Sequence, residues 1–207
     1  MNVYLPRIAI ALVAGWLLCL AGCSGHAVPL QPLPEDAVVL AFGDSLTFGT
    51  GAAREQSYPA VLSALIDRQV VNAGIPGELS SAGLRRLPYL LAEHRPGVVV
   101  LCHGGNDILR RRDRAALRSN LEQMIAEIRA AGAEVVLLAV PDFGLMLSAA
   151  EDYRAVATAT GVPLEERALP EILADRGLKS DAIHPDARGY QRLAEAVAAL
   201  LERHGAL

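Results

Sequence analysis

Apolar stretches and amphipathic patterns alternate along most of this chain. Residues 37–42, 97–102 and 134–140 are almost entirely apolar, and such continuous runs are typical of strands that helices cover on both faces. Shorter strands are predicted at 70–72 and 162–164. The spacing of apolar residues predicts helices over the ranges 57–69, 79–94, 113–131, 148–160 and 186–204. We expect Pro88 to kink or end the second of these helices.

This alternation of strands and helices predicts an α/β fold. The expected architecture is a three-layer α/β/α sandwich with a central parallel sheet. Binding and catalytic sites of such sheets lie at the carboxyl ends of the strands. No internal repeat and no second domain is visible in the sequence, so we expect one domain over 37–207.

The first segment, 1–22, differs from the rest of the chain and is typical of an export signal. Arg7 is its only charged residue, and its apolar run over 8–20 is shorter than the roughly 20 residues that a membrane-spanning helix needs. An uncleaved membrane anchor is the alternative. The segment 20–23, Leu-Ala-Gly-Cys, resembles the lipobox of bacterial lipoproteins, which implies cleavage before Cys23 and lipidation of that cysteine. We therefore expect an exported bacterial lipoprotein, anchored to a membrane on its periplasmic or cell-surface side.

A proline-rich segment separates this signal from the first predicted strand. Pro29, Pro32 and Pro34 fall within a short stretch, and such spacing is typical of a stiff, extended linker. We therefore interpret 23–36 as a tether and expect the folded domain to begin near Ala37.

Composition and charge exclude several classes of protein. The chain has 207 residues, of which 52% are hydrophobic and 20% are charged, so disorder is excluded as its main state. A net charge of -4 argues against a dedicated nucleic-acid binder. Three cysteines exclude a disulfide framework and a four-thiolate zinc site. A compact enzyme or binding domain remains.

Four short segments carry residues that acyl transfer requires. Gly-Asp-Ser-Leu at 43–46, the glycine-containing loop 72–77 and Gly-Gly-Asn-Asp at 104–107 each follow or end a predicted strand. Asp-Ala-Ile-His-Pro at 181–185 precedes the last predicted helix. Because the carboxyl ends of parallel strands meet at one edge of the sheet, we expect these segments to converge there.

The residue types in these segments predict nucleophilic catalysis by a serine. Ser45 needs a base to become a good nucleophile, and His184 can accept its proton and later protonate the leaving alcohol. Asp181, three residues earlier in the chain, can orient the imidazole and stabilise the imidazolium. The N–H groups of Ser45 and Gly77 and the side-chain amide of Asn106 are the candidate donors to the developing oxyanion.

The order and spacing of these segments resemble the four conserved blocks of the SGNH hydrolases, also called GDSL esterases/lipases. Within that family they are similar to bacterial arylesterases and multifunctional thioesterase/lysophospholipases, and the resemblance extends from about Val38 to the terminal helix. It implies a flavodoxin-like fold and no cofactor. It also implies a catalytic triad of Ser45, Asp181 and His184, and an oxyanion hole formed by Ser45, Gly77 and Asn106.

We therefore expect a serine esterase that hydrolyses carboxylic esters through an acyl-serine intermediate, with thioesters and lysophospholipids as further candidate substrates. A carbohydrate O-acetyl esterase of the cell envelope would use the same triad, and a non-catalytic lipid-binding lipoprotein would use only the cleft. The expected partners are a small-molecule or lipid ester and, through Cys23, a membrane. No nucleic acid is expected, and no metal either, because the sequence shows no cluster of metal ligands.

Three features next to these segments leave alternatives open. His103 precedes the glycine pair and could bind a residue of the site, contact the substrate or be a buried histidine with satisfied hydrogen bonds. Because the reaction needs one base, a non-catalytic role is favoured for His103. The arginine-rich stretch 110–114 could be a solvated face, or could contact anionic headgroups or an acidic substrate. Cys102 ends an apolar run and is expected to be an inert thiol in the core.

Overall fold

A computed structural model describes residues 29–143 and 147–207. The strands of these residues are β1 (Val39–Gly43), β2 (Val70–Gly74), β3 (Val98–Cys102), β4 (Glu134–Leu138), β5 (Pro141–Asp142), β6 (Ser148–Ala149) and β7 (Leu164–Glu165). Five of them form a parallel sheet in the order β2-β1-β3-β4-β7, while β5 and β6 pair antiparallel with each other. The strand order reverses between β1 and β3, as in flavodoxin-like sheets, and ligands bind at such reversal points.

Helices cover both faces of this sheet. They are α1 (Ser45–Phe48), α2 (Tyr58–Ile66), α3 (Ser80–His94), α4 (Gly105–Leu109), α5 (Arg114–Ala130), α6 (Glu151–Thr160), α7 (Ala168–Ala174) and α8 (Ala187–Arg203). Helix α2 packs against α8, whereas α5 packs against both α3 and α6. Because parallel crossovers are right-handed, these two groups lie on opposite faces of the sheet. The predicted three-layer α/β/α fold is confirmed.

The centre of the sheet lies where the apolar runs predicted it. Every residue of β1 and β3 is buried. Two fully buried tyrosines connect the helices to the carboxyl edge of the sheet: the Tyr153 hydroxyl donates to the backbone carbonyl of His103 at 2.8 Å, and the Tyr190 hydroxyl donates to that of Thr50 at 2.8 Å. These bonds hold the loops that carry the candidate site.

Of the two outcomes expected at Pro88, a kink or the end of the helix, the second is wrong. Helix α3 continues through Pro88 to His94. A proline inside a helix costs about 3 kcal/mol, but here its ring is exposed while Leu87 and Leu91 on either side of it are buried in the core. Burial of each leucine contributes roughly 1.5–3 kcal/mol, which offsets that cost.

Residues 29–36, here called the N-terminal strap, pack on the domain instead of leading away from it. The side chains of Leu30 and Leu33 are buried, and their N–H groups donate to the carbonyls of His204 and Ala206 at 2.8 and 2.9 Å. The packed structure therefore begins earlier than the predicted start near Ala37, because two leucines among the prolines find an apolar surface at the chain's other end.

The guanidinium of Arg68 also holds the strap. It donates to the carbonyls of Leu33 and Pro34 at 3.2 Å each. The predicted signal, 1–22, and the predicted lipidation site, Cys23, lie outside the described residues. Across 29–143 and 147–207, no helix combines the length and the apolar character needed to cross a bilayer.

Candidate active site

Ser45 occupies a sharp turn between strand β1 and helix α1. It is the first residue of the helix, and Asp44 caps that helix by accepting a hydrogen bond from the N–H of Leu46 at 3.2 Å. The N–H of Phe48 donates to the Asp44 carbonyl at 3.0 Å, which closes the first helical turn. The turn leaves Ser45 half-buried at the carboxyl edge of the sheet, beside the point where the strand order reverses.

His184 lies against Ser45, although 139 residues separate them in the chain. Its Nε2 is 2.9 Å from the Ser45 Oγ, and its Nδ1 is 2.8 Å from the Asp181 Oδ2. A carboxylate can only accept, so Nδ1–H donates to Asp181, and in the neutral imidazole Nε2 is then the acceptor for the serine hydroxyl. This is the tautomer that a general base requires.

Asp181 is held by the backbone of its own turn. Its Oδ1 accepts hydrogen bonds from the N–H groups of Ile183 and His184, both at 2.8 Å. Partial burial raises the pKa of Asp181, but the hydrogen bonds from the His184 ring and from these two N–H groups outweigh it and lower the pKa below its usual value. Asp181 is therefore a carboxylate near neutral pH.

Asn106, the second residue of helix α4, is oriented by the helix cap of Ser45. Its Nδ2 donates to the Asp44 Oδ2 at 3.3 Å, and an amide nitrogen carries a second hydrogen that stays available. Burial raises the pKa of Asp44, although the nearby His103 and the hydrogen bonds from Leu46, Asn106 and Gly105 oppose it. No pattern in the sequence predicts the bond between Asp44 and Asn106.

The loop with Gly77 lies next to the Ser45 turn. The N–H of Ile75 donates to the Gly43 carbonyl at 3.1 Å, which joins the ends of β1 and β2. Gly77 has a φ of 77°, a left-handed conformation that glycine adopts easily. Among the described residues, the N–H groups of Ser45 and Gly77 find no hydrogen-bond acceptor. Both remain free to bind an oxyanion.

Together, the structure brings Ser45, Asp181 and His184 into one hydrogen-bonded series and places Gly77 and Asn106 in the segments that flank Ser45. This is the arrangement that acyl transfer to a serine requires.

Comparison with known proteins identifies the family. Residues 41–192 match the GDSL-like Lipase/Acylhydrolase family. This chain belongs to that family.

Three relatives of this GDSL-like chain carry names of ester hydrolases. Esterase TesA of Pseudomonas aeruginosa is 36% identical over 191 residues, which cover 87% of this chain and 94% of the relative. The Arylesterase of Vibrio mimicus is 33% identical over 177 residues, 80% of this chain and 88% of the relative. Thioesterase 1/protease 1/lysophospholipase L1 of Escherichia coli is 32% identical over 172 residues, which cover 79% of this chain and 83% of the relative.

The crystal structure of TesA has the same fold as this chain, with a TM-score of 0.74 and a sequence identity of 34%. The superposed region covers 81% of this chain and 99% of the TesA chain. The predicted family and reaction class are therefore confirmed: this GDSL-like chain is a serine hydrolase that acts on ester bonds.

His103 is completely buried, so a contact with substrate is excluded for it. Its Nε2 lies 3.1 Å from the Glu78 Oε2, and the side chain of Arg86 binds the same carboxylate.

Cys102 is a buried free thiol whose pKa is raised well above its usual value by burial, which disfavours the reactive thiolate. Within 29–143 and 147–207, no group of histidine, cysteine and acidic side chains is arranged to hold a metal.

The arginine-rich stretch does not form one solvated face. Arg110 donates from its Nη2 to the Gly77 carbonyl at 3.1 Å, so it touches the candidate oxyanion loop. Arg114 lies 2.6 Å from Asp142 and 3.1 Å from Asp152, and it joins the β5–β6 ribbon to helix α6. Arg111 and Arg112 are exposed and stay candidates for contact with acidic groups.

Proposed function

We propose that this chain hydrolyses esters of apolar acyl groups with Ser45 as nucleophile, His184 as general acid and base, and Asp181 as the group that orients the histidine. The distance of 2.9 Å between the Ser45 Oγ and the His184 Nε2 carries this assignment. The hydroxyl oxygen attacks the acyl carbon while its proton passes to Nε2. The imidazolium that forms is stabilised by the Asp181 carboxylate on its other side.

The tetrahedral intermediate collapses when His184 returns the proton to the leaving alkoxide. The carbon–oxygen bond of the ester breaks, the alcohol leaves and the acyl group stays on Ser45. Water then gives a proton to His184 and attacks the acyl carbon. The bond between that carbon and the Ser45 Oγ breaks, His184 returns the proton to Oγ, and the acid is released. In both steps the N–H groups of Ser45 and Gly77 and the amide of Asn106 donate to the oxyanion.

Exposed apolar side chains near the site support an apolar acyl group as substrate. Phe48, Ile75 and Leu109 are exposed, and each lies within three residues of Ser45, Gly77 or Asn106 in the chain. Such side chains favour acyl groups longer than acetate. The names of the relatives support esters, thioesters and lysophospholipids as substrate classes and give no support to the carbohydrate O-acetyl esterase.

A series of esters with increasing acyl length tests this proposal. We expect kcat/KM to rise from acetyl to medium-chain esters, and we expect Ser45→Ala to abolish hydrolysis without changing the melting temperature. A fluorophosphonate should label the native protein and leave the Ser45→Ala variant unlabelled. Hydrolysis by a folded Ser45→Ala protein would contradict the proposal, and so would acetylated sugars as the best substrates.

We also propose that the chain is exported and lipidated at Cys23. The strap supports a particular orientation of such an anchored enzyme. His184 lies just before the start of helix α8, whereas Leu30 binds His204 just after its end, and the 17 residues of that helix span about 25 Å. An anchor at Cys23 would therefore hold the membrane near the end of the domain opposite Ser45.

This orientation would direct the site away from the anchoring membrane, toward soluble esters or another surface. Incorporation of an alkyne-labelled fatty acid into the expressed protein tests the anchor, and Cys23→Ser should abolish labelling and release activity from the membrane fraction. Labelling that persists in Cys23→Ser would refute lipidation at that residue.

A further inference from the structure

A cluster of three polar side chains lies directly behind the candidate site and is not used by the mechanism above. Arg86, Glu78 and His103 have side chains that are 21%, 8% and 0% exposed. The Nε of Arg86 donates to both carboxylate oxygens of Glu78, at 2.8 and 2.9 Å, and its Nη2 donates to Oε2 at 2.6 Å. The His103 Nε2 is 3.1 Å from the same Oε2.

The guanidinium of Arg86 also binds the ends of two strands. Its Nη2 donates to the Gly43 carbonyl at 3.1 Å and to the Ala73 carbonyl at 2.8 Å. Gly43 ends β1 immediately before the turn of Ser45, and Ala73 lies at the end of β2 before the loop of Gly77. One side chain therefore fixes the backbone from which two of the three candidate oxyanion donors emerge.

The other two members extend this connection to the third donor. Glu78 directly follows Gly77, and His103 directly precedes the glycine pair that leads to Asn106. Burial alone would raise the pKa of Glu78, but the hydrogen bonds from His103 and Arg86 and the charge of the guanidinium lower it to about 2. Glu78 is therefore an anion under ordinary conditions, and it binds both partners as a charged acceptor.

The surroundings fix the cluster in one position. The guanidinium carbon of Arg86 lies 4.2 Å from the centre of the Phe42 ring, on its face. Helix α3 brings Gly83 so close to His103 that a Cβ there would lie 2.4 Å from the Nε2. Because a buried ion pair loses much of its attraction to desolvation, stability alone is a weak reason for placing one here.

We propose that Arg86, Glu78 and His103 form a positioning network that fixes the relative positions of the three oxyanion donors, with Arg86 as its principal member. This inference rests on the proposed function, since the donors are those of Ser45, Gly77 and Asn106. The network touches none of the reacting atoms. It acts through the Gly43 and Ala73 carbonyls and through the segments that flank Glu78 and His103. An oxyanion hole accelerates the reaction only when its donors are already in place before charge develops, and this network keeps them in place.

Arg86→Gln tests the proposal, and Arg85→Gln is its matched control. Arg85 is the adjacent, exposed arginine, and within 29–143 and 147–207 the hydrogen bond of its side chain goes to its own helix, from Nη1 to the Ser81 carbonyl. We expect Arg86→Gln to lower kcat about 10-fold or more with less than about a twofold change in KM, because misplaced oxyanion donors stabilise the transition state less and leave substrate binding almost unchanged. Arg85→Gln should leave both constants unchanged.

Glu78→Gln provides a second variant that keeps the size of the side chain and removes its charge. We expect an intermediate loss of kcat, because the amide oxygen still accepts one hydrogen bond from Arg86. Both variants are assayed well below their melting temperatures, with the folded fraction measured by circular dichroism. A loss of kcat that the unfolded fraction accounts for entirely would overturn the proposal, as would unchanged kcat in a folded Arg86→Gln protein.

A double variant separates positioning from a general weakening of the fold. In an Asn106→Ala background the oxyanion hole is already incomplete, so Arg86→Gln should lower kcat by less than about threefold there. Additive effects of the two changes would indicate a merely structural role and refute the proposal. Activity that survives Ser45→Ala would instead refute the proposed function, which keeps the two failures distinguishable.

Discussion

The carboxylate of Asp44 connects the nucleophile to the oxyanion hole, because it accepts hydrogen bonds both from the N–H of Leu46 and from the side-chain amide of Asn106. The first bond caps the helix that begins at Ser45. The second, at 3.3 Å, directs the remaining amide hydrogen of Asn106 away from Asp44. A single buried side chain therefore couples two of the four sequence segments.

Asp44→Ala should lower kcat about 10-fold or more with little change in KM, because the Asn106 amide loses its orientation in the transition state. The measurement is steady-state hydrolysis of a chromogenic ester. Asp113→Ala is the control, since Asp113 caps helix α5 in the same way, accepting from the N–H of Ala115 at 2.8 Å. That variant should lose about 1 kcal/mol of stability and keep its kcat. Equal kinetic effects in both variants would show that Asp44 is only a helix cap.

His184 lies between helices α7 and α8 and follows no strand, so its place beside Ser45 was predicted from the serine's need for a base and from the family resemblance. The sequence was sufficient for the segments of Ser45, Gly77 and Asn106, because parallel strands bring their carboxyl ends to one edge whatever their separation in the chain. It was not sufficient for the contacts behind that edge. The bond between Asp44 and Asn106 depends on how two short helices, α1 and α4, leave neighbouring strands, and neither helix has an apolar period long enough to be recognised. His103 stayed ambiguous for the same reason, since its partner Glu78 belongs to another loop.

Short elements and chain ends were the other source of error. Helix α7 was missed, and the helix predicted from residue 148 begins at Glu151 because Ser148–Ala149 pairs with β5 instead. Strands of two residues carry no detectable period and exist only through their tertiary pairing. The strap was predicted as a linker from its prolines, whereas the burial of Leu30 and Leu33 decided its position.

Stability in acid should depend on Glu78. Its pKa lies at about 2 in the folded protein against an ordinary value of 4.5, so the unfolded state binds the proton first. The resulting stabilisation is complete above about pH 4.5 and is lost as the pH falls toward 2. It amounts to at most about 3.5 kcal/mol, since each pKa unit corresponds to about 1.4 kcal/mol.

Urea unfolding at a series of pH values measures this contribution. We expect the Glu78→Gln protein to show a shallower loss of unfolding free energy between pH 5 and 2 than the unmodified protein, because the substituted side chain no longer titrates. Glu171→Gln is the control, since the Glu171 side chain is 63% exposed and, in the part of the chain that the structure describes, its ion pair is with Arg167 on the same helix turn. It should leave the acid profile unchanged. Identical profiles for all three proteins would contradict the linkage to Glu78.

Cys102 should be unreactive in the native protein. Its thiol is completely buried at the end of β3, and burial raises its pKa far above neutrality, so the nucleophilic thiolate is scarce. The other two cysteines of the sequence are at positions 19 and 23, so a chain that begins at residue 29 carries Cys102 as its single thiol and allows its modification to be measured alone. A disulfide-exchange reagent should modify it only after urea unfolds the chain. Fast modification of the folded protein would show that β3 opens locally.

Removal of the N-terminal strap should destabilise the domain without changing its chemistry. A chain that begins at Ala37 loses the buried side chains of Leu30 and Leu33 and the hydrogen bonds to His204 and Ala206. Two leucines contribute roughly 3–6 kcal/mol as an upper estimate, so we expect a large fall in the urea midpoint relative to a chain that begins at Pro29. The strap binds the end of helix α8 that is opposite to His184. We therefore expect the same kcat at low temperature in both chains. Equal midpoints would show that the strap contributes no packing energy, and a lower kcat in the folded shorter chain would show that it reaches the site.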